Sequence, residues 1–210
     1  MPKVSAAHRD ARRQQILEAA VACFAREGFH RTTVQDIVRE SGLSPGAIYG
    51  YFASKDAIVD AMGADRHALE LALIAAAVDA ADLRQALRRL SREFFALLRD
   101  PAERRRRRVA VQVWAEALRN PRLLRQVRGG VDRPRARLAD LLRQAQARGA
   151  LSPALSPDAV ARMMIALFQG FILQQAWDPK VAVEPYVAAL DAVVDSLFAG
   201  RSATDGPRRT

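Results

Sequence analysis

Hydroxyl and amino side chains concentrate in one short segment of the chain. They are Thr32, Thr33, Ser44, Tyr49, Tyr51 and Lys55. Hydroxyls and free backbone N–H groups at a helix start can hold a phosphate oxygen, and an ammonium can pair with it. Lys55 is one of three lysines in the whole chain, which makes its place in this segment informative. The segment predicts a site for a phosphate-bearing ligand, provided that helices position these groups.

Two short helices that meet at a tight turn are expected to position the first of these groups. A first helix over about 11–26, with an apolar stripe and a stop at Gly28, would support them. Thr32 and Gln35 have the spacing of a capping box, which predicts that the second helix begins at Thr32. Gly42 stands where the chain must turn in a left-handed conformation.

Ser44 and Pro45 predict the start of a third helix, because serine caps well and proline fits the first helical turn. This helix should end near Tyr51, and Ser54 should cap a fourth helix that runs to about 78, a length of about 36 Å at ~1.5 Å per residue. Ile48 and Phe52 are four residues apart and should face the core, so Tyr49 and Gly50 should face outward.

Three helices in this arrangement form a helix-turn-helix, whose last helix enters the major groove of DNA. The segment 28–62, GFHRTTVQDIVRESGLSPGAIYGYFASKDAIVDAM, closely resembles the DNA-binding signature of the TetR family of bacterial regulators. The resemblance implies DNA contacts through the hydroxyls of Tyr49 and Tyr51 and a phosphate contact by Lys55. The residues expected to bind DNA are Thr32, Thr33, Ser44, Pro45, Gly46, Ala47, Tyr49, Gly50, Tyr51 and Lys55.

Gly50 departs from the family, which often places a larger polar side chain there and uses it for base contact. Either glycine merely permits a closer approach or is neutral, or the shape of the DNA replaces hydrogen-bond readout. The slim start of the third helix, with Pro45 and Gly46, can lie deep in the groove, and Ala47 could touch a thymine methyl.

The net charge of +10 gives little support to DNA binding, because the excess lies elsewhere. Residues 1–55 carry +3, whereas residues 101–150 carry +10. The run Arg104–Arg108 covers more than one helical turn, so its side chains cannot share one face. It is either a charged surface near a helix start or an anion site, and the arginines from 119 to 148 leave an anionic effector open.

Helical apolar spacing over the whole chain predicts an all-α fold, with further breaks near 82, 100–101, 120–121, 149–157 and 178–179. We expect a DNA-binding domain over 8–55, a helical effector-binding and dimerisation domain over 56–200, joined to the first by the long fourth helix, and a disordered tail over 201–210.

The family resemblance implies an effector pocket and a dimer interface in the second domain. Large apolar residues are candidates to line the pocket, although any one of them taken alone fits the core better, and nearby polar residues are candidates to orient the ligand: Phe94, Gln112, Trp114, Glu116, Met163, Phe168, Gln169 and Trp177. Two helical stripes are candidates for a four-helix dimer interface, or else for intrachain core: Val160, Met164, Leu167 and Phe171, then Leu190, Val194 and Leu197.

Several classes of protein are disfavoured by what the sequence lacks. A single cysteine, Cys23, rules out an intramolecular disulfide and favours a buried thiol in a cytoplasmic protein. The three histidines, His8, His30 and His67, have no metal-ligand spacing, so we expect no metal and no cofactor. No stretch approaches ~18 uninterrupted apolar residues, so no membrane partner is expected.

The sequence therefore predicts a homodimeric repressor that binds a palindromic operator and is released by a small-molecule effector. The alternative is a helical small-ligand carrier or a small helical enzyme in which the first motif is only structural. No GxSxG, P-loop or HExxH motif supports an enzyme.

Overall fold

The computed structural model describes residues 6–76 and 82–198, and within them it contains helices and turns and no β-strand. The predicted all-α fold is confirmed. The helices are α1 (Ala6–Glu27), α2 (Val34–Ser41), α3 (Pro45–Tyr51), α4 (Lys55–Ala75), α5 (Leu83–Ala96), a 3₁₀ turn (Leu97–Arg99), α6 (Pro101–Ala117), α7 (Pro121–Ala147), α8 (Pro157–Trp177) and α9 (Val183–Phe198). The expected disordered tail, 201–210, and the predicted end of α4 near 78 lie outside the described residues.

Packing divides the chain into two compact units. The first holds the described residues of 1–68 and 101–130, and the second those of 69–100 and 131–210. The helices α4 and α7 each contribute residues to both units. The division predicted between residues 55 and 56 stays a prediction about which segments carry which task, because the units group residues by packing alone.

The first unit is built around α1, which packs against α2 and α6. Phe24 on α1 is fully buried, as are Ile37 on α2 and Ile48 on α3. Val109 and Ala117 of α6 close the same core, so α6 belongs to the unit that holds the three-helix motif. The sequence did not predict this, because α6 lies far along the chain.

The second unit has its own core, in which α5 packs against α9. Leu87 and Leu142 are fully buried there, and Val194 of α9 is 1% exposed. A group of aromatic rings joins α5, α8 and α9, with ring centres 4.6 to 5.3 Å apart: Phe94, Phe95, Phe168, Phe171 and Tyr186. The Tyr186 hydroxyl donates a 2.7 Å hydrogen bond to the carbonyl oxygen of Leu167. Burial raises the pKa of that phenol.

By length and composition alone, α8 (Pro157–Trp177) could cross a membrane, with a mean hydropathy of 1.2 over its most apolar window. This is weak evidence, since a core helix of a water-soluble protein passes the same test. Phe171 and Ile172 on α8 are buried within the unit, whereas Met163 and Trp177 are exposed. The apolar residues on one side of α8 therefore form part of the core of the second unit.

Candidate nucleic-acid interface

The helix α2 begins one residue later than the sequence predicted. Thr33, not Thr32, is the N-cap, and its hydroxyl accepts a 3.2 Å hydrogen bond from the backbone N–H of Asp36. The Asp36 carboxylate in turn accepts from the backbone N–H of Thr33 at 2.8 Å. The box therefore uses Thr33 and Asp36 instead of Thr32 and Gln35. Asp36 is the better partner because a carboxylate favours the positive end of a helix.

Thr32 was expected to hold a phosphate with its hydroxyl, and its position contradicts this. It is 1% exposed, and its hydroxyl donates a 2.9 Å hydrogen bond to the carbonyl oxygen of Gly28. The hydroxyl of Thr33 is exposed but donates to Asp36 at 2.7 Å. The protein's own carboxylate thus occupies the anion position at the start of α2. The hydrogen bonds from Thr33 lower the pKa of Asp36, which keeps it charged.

The helix α3 matches its prediction in both bounds and orientation. Ser44 caps it by accepting from the backbone N–H of Ala47 at 3.2 Å, and Pro45 occupies the first turn. Gly42, in the turn before it, has the predicted left-handed conformation, with φ of 67°. Ile48 is fully buried, whereas Tyr49 is 51% exposed.

Gly50 lies in open space on the outward side of α3. A Cβ atom built at Gly50 would meet no other atom within 4 Å, and the same is true at Gly46. Packing within the chain therefore does not require glycine at either position. The absence of a side chain at Gly50 leaves the adjacent Tyr49 as the large exposed group of α3.

Lys55 has an interior role that the sequence did not reveal. Its ammonium donates hydrogen bonds of 3.0 Å to the carbonyl oxygen of Phe29 and 3.1 Å to that of Thr32. It also lies 4.6 Å from the centre of the Phe29 ring. Lys55 thus ties the start of α4 to the turn between α1 and α2. Lysine is rare in this arginine-rich chain, which indicated that Lys55 has a specific role. The sequence did not indicate that its partners are the carbonyl oxygens of Phe29 and Thr32.

The same turn is held from its other side by α6. The backbone N–H of Phe29 donates a 2.9 Å hydrogen bond to the Gln112 side chain, and the His30 imidazole contacts the Glu116 carboxylate at 2.5 Å. Gln112 and Glu116 were expected to line an effector pocket, together with Trp114, which is half-buried on the same helix. The structure places all three in the first unit, with the helix-turn-helix.

The other pocket candidates lie in the second unit, where a ring contact joins two of them. The rings of Phe94 and Phe168 are 5.3 Å apart and both are half-buried. Gln169 is half-buried, whereas Met163 and Trp177 are 37% and 74% exposed. The eight candidates therefore do not form one cluster within either unit.

The residues expected at a dimer interface are mostly core of the chain itself. Phe171 is fully buried, and Val160, Leu190 and Val194 are 1% to 6% exposed. Their burial by their own chain supports the alternative, intrachain core, for these four residues. Met164, Leu167 and Leu197 are half-buried. The dimer interface along these two stripes stays a prediction.

The arginine run at the start of α6 is partly structural. Arg107 is buried and donates a 2.8 Å hydrogen bond to the buried carboxylate of Glu103, which Arg66 of α4 also contacts. Arg105 and Arg108 are exposed. The run points in several directions, as its spacing predicted, and one of its members, Arg107, shares the Glu103 carboxylate with Arg66 of α4.

Comparison with known families matches nearly the whole described chain. Residues 16–62 match the family of bacterial regulatory proteins named tetR, and residues 83–199 match the C-terminal domain of BetI-type transcriptional repressors. The second match alone covers more than half of the chain. The first contains every residue expected to bind DNA.

Curated relatives are regulators with a helix-turn-helix. The chain is 51% identical over 55 residues to the uncharacterized HTH-type transcriptional regulator YfiR of Bacillus subtilis, a match that covers 26% of this chain and 27% of YfiR. It is 25% identical over 190 residues to the HTH-type transcriptional regulator UidR of Escherichia coli, covering 89% of this chain and 92% of UidR. The higher identity is thus confined to a short stretch, and the match over most of the chain is at 25% identity.

Among solved structures, that of the SmeT–triclosan complex is 26% identical to this chain, with a TM-score of 0.77. The match covers 95% of this chain and 98% of SmeT. The fold found here is therefore a known architecture.

Proposed function

This chain belongs to the TetR family of bacterial regulatory proteins, and we propose that it is a homodimeric repressor that a small-molecule effector releases from a palindromic operator. The predicted family is confirmed, and with it the class of DNA-binding transcriptional regulators. Repression, the dimer, the operator and the effector are the proposed parts. A regulator of this kind acts on DNA in the cytoplasm and catalyses no reaction.

The outward surface of α3 carries the proposal. Tyr49 is half exposed directly beside the fully buried Ile48, and open space surrounds Gly46 and Gly50. A helix with a slim start and one large exposed aromatic residue fits the major groove, where apolar and hydrogen-bonding contacts to base edges give specificity. Ser44, Pro45 and Ala47 stay in the proposed interface, while Thr33 and Lys55 act mainly by positioning α2 and α4.

The partner subunit is proposed to cover the outward faces of α8 and α9. On α8 the exposed face carries Met163, Ala166 and Trp177, and on α9 it carries small apolar residues, Ala188, Ala189, Ala192 and Val193. Small residues let two helices approach closely, and an exposed tryptophan is a common anchor of an interface. A two-fold axis would set the two α3 helices about 34–36 Å apart, one helical turn of DNA.

The effector is proposed to be small and largely apolar, and to bind beside the aromatic group of the second unit. SmeT, a relative over nearly the whole chain, binds triclosan. The half-buried Phe94 and Phe168 lie at the edge of that group, and Gln169 is half-buried and follows Phe168 directly on α8. Pockets for small molecules are lined mostly by apolar and aromatic side chains with a few polar groups. The anionic effector that the sequence left open has less support.

Release of DNA requires that the effector bind the DNA-incompetent form more tightly. Moving the protein from nearly all bound to nearly all released takes about 5.5 kcal/mol of differential affinity. Because α4 and α7 contribute to both units, a change in either helix is a direct route between them. Reciprocity demands that DNA weaken effector binding by the same factor.

Selection from a random duplex library tests the proposal. The wild-type protein should enrich an inverted repeat and bind it far more tightly than a scrambled duplex of equal length. A matched selection with Tyr49→Ala should enrich no such sequence. A folded wild-type protein that enriches no sequence would contradict the proposal. It would favour the alternative, a small-ligand carrier or a small enzyme in which the helix-turn-helix is only structural.

A further inference from the structure

The corner between α6 and α7, residues 118–122, is anchored both to the turn that precedes α2 and to α4, the helix that follows α3. Glu116, at the end of α6, contacts His30 in the turn before α2. Arg122, in the first turn of α7, pairs with Asp56 at 3.2 Å and with Asp60 at 3.4 Å, both on α4. All of these residues belong to the first unit. The corner is therefore fixed relative to the helix-turn-helix.

Hydrogen bonds within the corner also hold its backbone in place. The side chain of Asn120 accepts from the backbone N–H groups of Arg122 and Leu123 at 3.1 and 3.2 Å, which caps the start of α7. The backbone N–H of Arg119 donates a 3.0 Å hydrogen bond to the carbonyl oxygen of Glu116. A side chain on this corner thus has a defined position next to the turn that leads into α2.

Arginines recur at every third position through the corner and into α7: Arg119, Arg122, Arg125 and Arg128. All four are exposed. Arg122 is paired, whereas no hydrogen bond or ion pair joins the side chains of the other three to any described residue. Arg125 and Arg128 are three apart on α7, so their positive charges are neighbours and repel each other, and Arg119 adds a third unpaired charge in the corner before α7.

We propose that Arg119, Arg125 and Arg128 form a second DNA-binding edge, which contacts phosphates beside the sequence that α3 reads. The acidic groups on the elements that anchor the corner are already engaged, Glu116 by His30 and Asp56 and Asp60 by Arg122. Arg125 and Arg128 lie about 4.5 Å apart along the axis of α7 at ~1.5 Å per residue, which is close to the axial spacing of successive phosphates of one strand, ~3.4 Å. Arginine suits phosphate because its planar group can donate two parallel hydrogen bonds.

The inference rests on the proposed function and adds to it. It assigns to the mid-chain charge a role in affinity for flanking DNA, whatever its sequence. It also explains why a small, weakly charged helix-turn-helix occurs in a chain with a net charge of +10. An acidic protein or a small anion as the true partner of these arginines would leave DNA binding unchanged when they are replaced.

The test compares two variants that each lose three charges. The corner variant carries Arg119→Gln, Arg125→Gln and Arg128→Gln. The control carries Arg137→Gln, Arg148→Gln and Lys180→Gln, three exposed residues of the second unit whose side chains have no partner among the described residues. Both are measured against the sequence that the wild-type protein enriches, first in a long duplex with flanking DNA on both sides and then in a duplex trimmed to that sequence.

We expect the corner variant to reduce the slope of log affinity against log salt on the long duplex by about 0.9 for each lost contact. On the trimmed duplex it should match the control. Equal slopes for the two variants on the long duplex would overturn the inference, and so would an equal loss on both duplexes. If the wild-type protein enriches no sequence at all, the proposed function fails first and this inference fails with it. Circular dichroism and thermal unfolding should show both variants folded, because the replaced side chains are exposed and make no hydrogen bond or ion pair with the described residues.

Discussion

The ammonium of Lys55 donates a 3.0 Å hydrogen bond to the carbonyl oxygen of Phe29 and lies 4.6 Å from the centre of the Phe29 ring. The start of α4 is thereby fastened to the turn before α2. A lysine at this place had been expected to hold a DNA phosphate from the resemblance to the family. Since two of its three donors are engaged by carbonyl oxygens, its main effect on DNA binding is through the position of the helices.

Replacement of Lys55 by methionine should therefore lower stability more than it lowers salt dependence. The variant leaves two part-buried carbonyl oxygens without their partner, which costs about 1–3 kcal/mol of the free energy of unfolding. Urea denaturation measures this loss. The salt slope of DNA binding should fall by less than the ~0.9 expected of a full phosphate contact.

Lys180→Met is the matched control, because Lys180 is exposed and its side chain has no partner among the described residues. It should leave the free energy of unfolding unchanged. A Lys55→Met variant that is as stable as the control, yet loses a full contact in the salt slope, would show that Lys55 acts on DNA directly.

Replacement of Tyr49 should lower the affinity for DNA, whereas replacement of Tyr51 should lower the stability of the fold. Tyr49 is 51% exposed, whereas Tyr51 is half-buried and packs against the core of the first unit. We expect Tyr49→Ala to weaken binding to the selected duplex by about 1–3 kcal/mol at unchanged melting temperature. Tyr51→Ala should lower the melting temperature. Fluorescence anisotropy titration measures the affinity of both variants for DNA, and thermal unfolding measures their melting temperatures. Equal changes in affinity and melting temperature for the two variants would contradict the roles assigned to Tyr49 and Tyr51.

The helix α3 could be predicted closely because its signals are local. Ser44 and Pro45 mark its start, and the spacing of Ile48 and Phe52 determines which side faces inward. The predicted start of α2 differs by one residue from the observed start, because either of two adjacent threonines could cap the helix. The carboxylate of Asp36 decides between them, and a threonine–glutamine spacing had concealed it.

Long-range contacts could not be predicted in this way. Nothing near Gln112 in the sequence indicates that its side chain accepts from the backbone of Phe29, 83 positions earlier. The stripes on α8 and α9 illustrate a different limit. Helical periodicity shows that Val194 faces an apolar neighbour, but it does not tell whether that neighbour is the same chain or a second subunit.

Acid should weaken the capping box at the start of α2. The hydrogen bonds from Thr33 lower the pKa of Asp36 in the folded protein, and Arg39 adds to the effect. The stabilisation is therefore complete above the unfolded-state pKa of about 3.9 and is lost as the pH falls through the folded-state pKa. Asp36→Asn removes this contribution, so the gap in stability between wild type and variant should shrink as the pH falls below about 4.

Urea denaturation at a series of pH values measures that gap. Asp10→Asn is the control, since Asp10 is exposed on α1 of the same unit and accepts no hydrogen bond among the described residues. A gap that stays constant from neutral to acid pH would mean that the Asp36→Asn variant loses a contact unrelated to the charge of the carboxylate.

Substitutions at two adjacent valines on α9 should distinguish the surface that binds the partner subunit from the core of the chain. Val193 is 39% exposed and Val194 is 1% exposed. Val193→Glu should yield a folded monomer, because it places a charge where the partner subunit would bury it. Val194→Ala should lower the free energy of unfolding by about 2 kcal/mol, since it removes buried methyl groups and leaves a cavity.

Light scattering after gel filtration measures the mass, and Leu118→Glu supplies the control. Leu118 is 81% exposed at the corner of α6 and α7, so a charge there should leave the mass of the assembly unchanged. A dimer that survives Val193→Glu but not Leu118→Glu would move the interface to the first unit. Two α3 helices could then no longer be spaced by a bundle of α8 and α9, and the predicted separation of about 34–36 Å between half-sites would lose its basis.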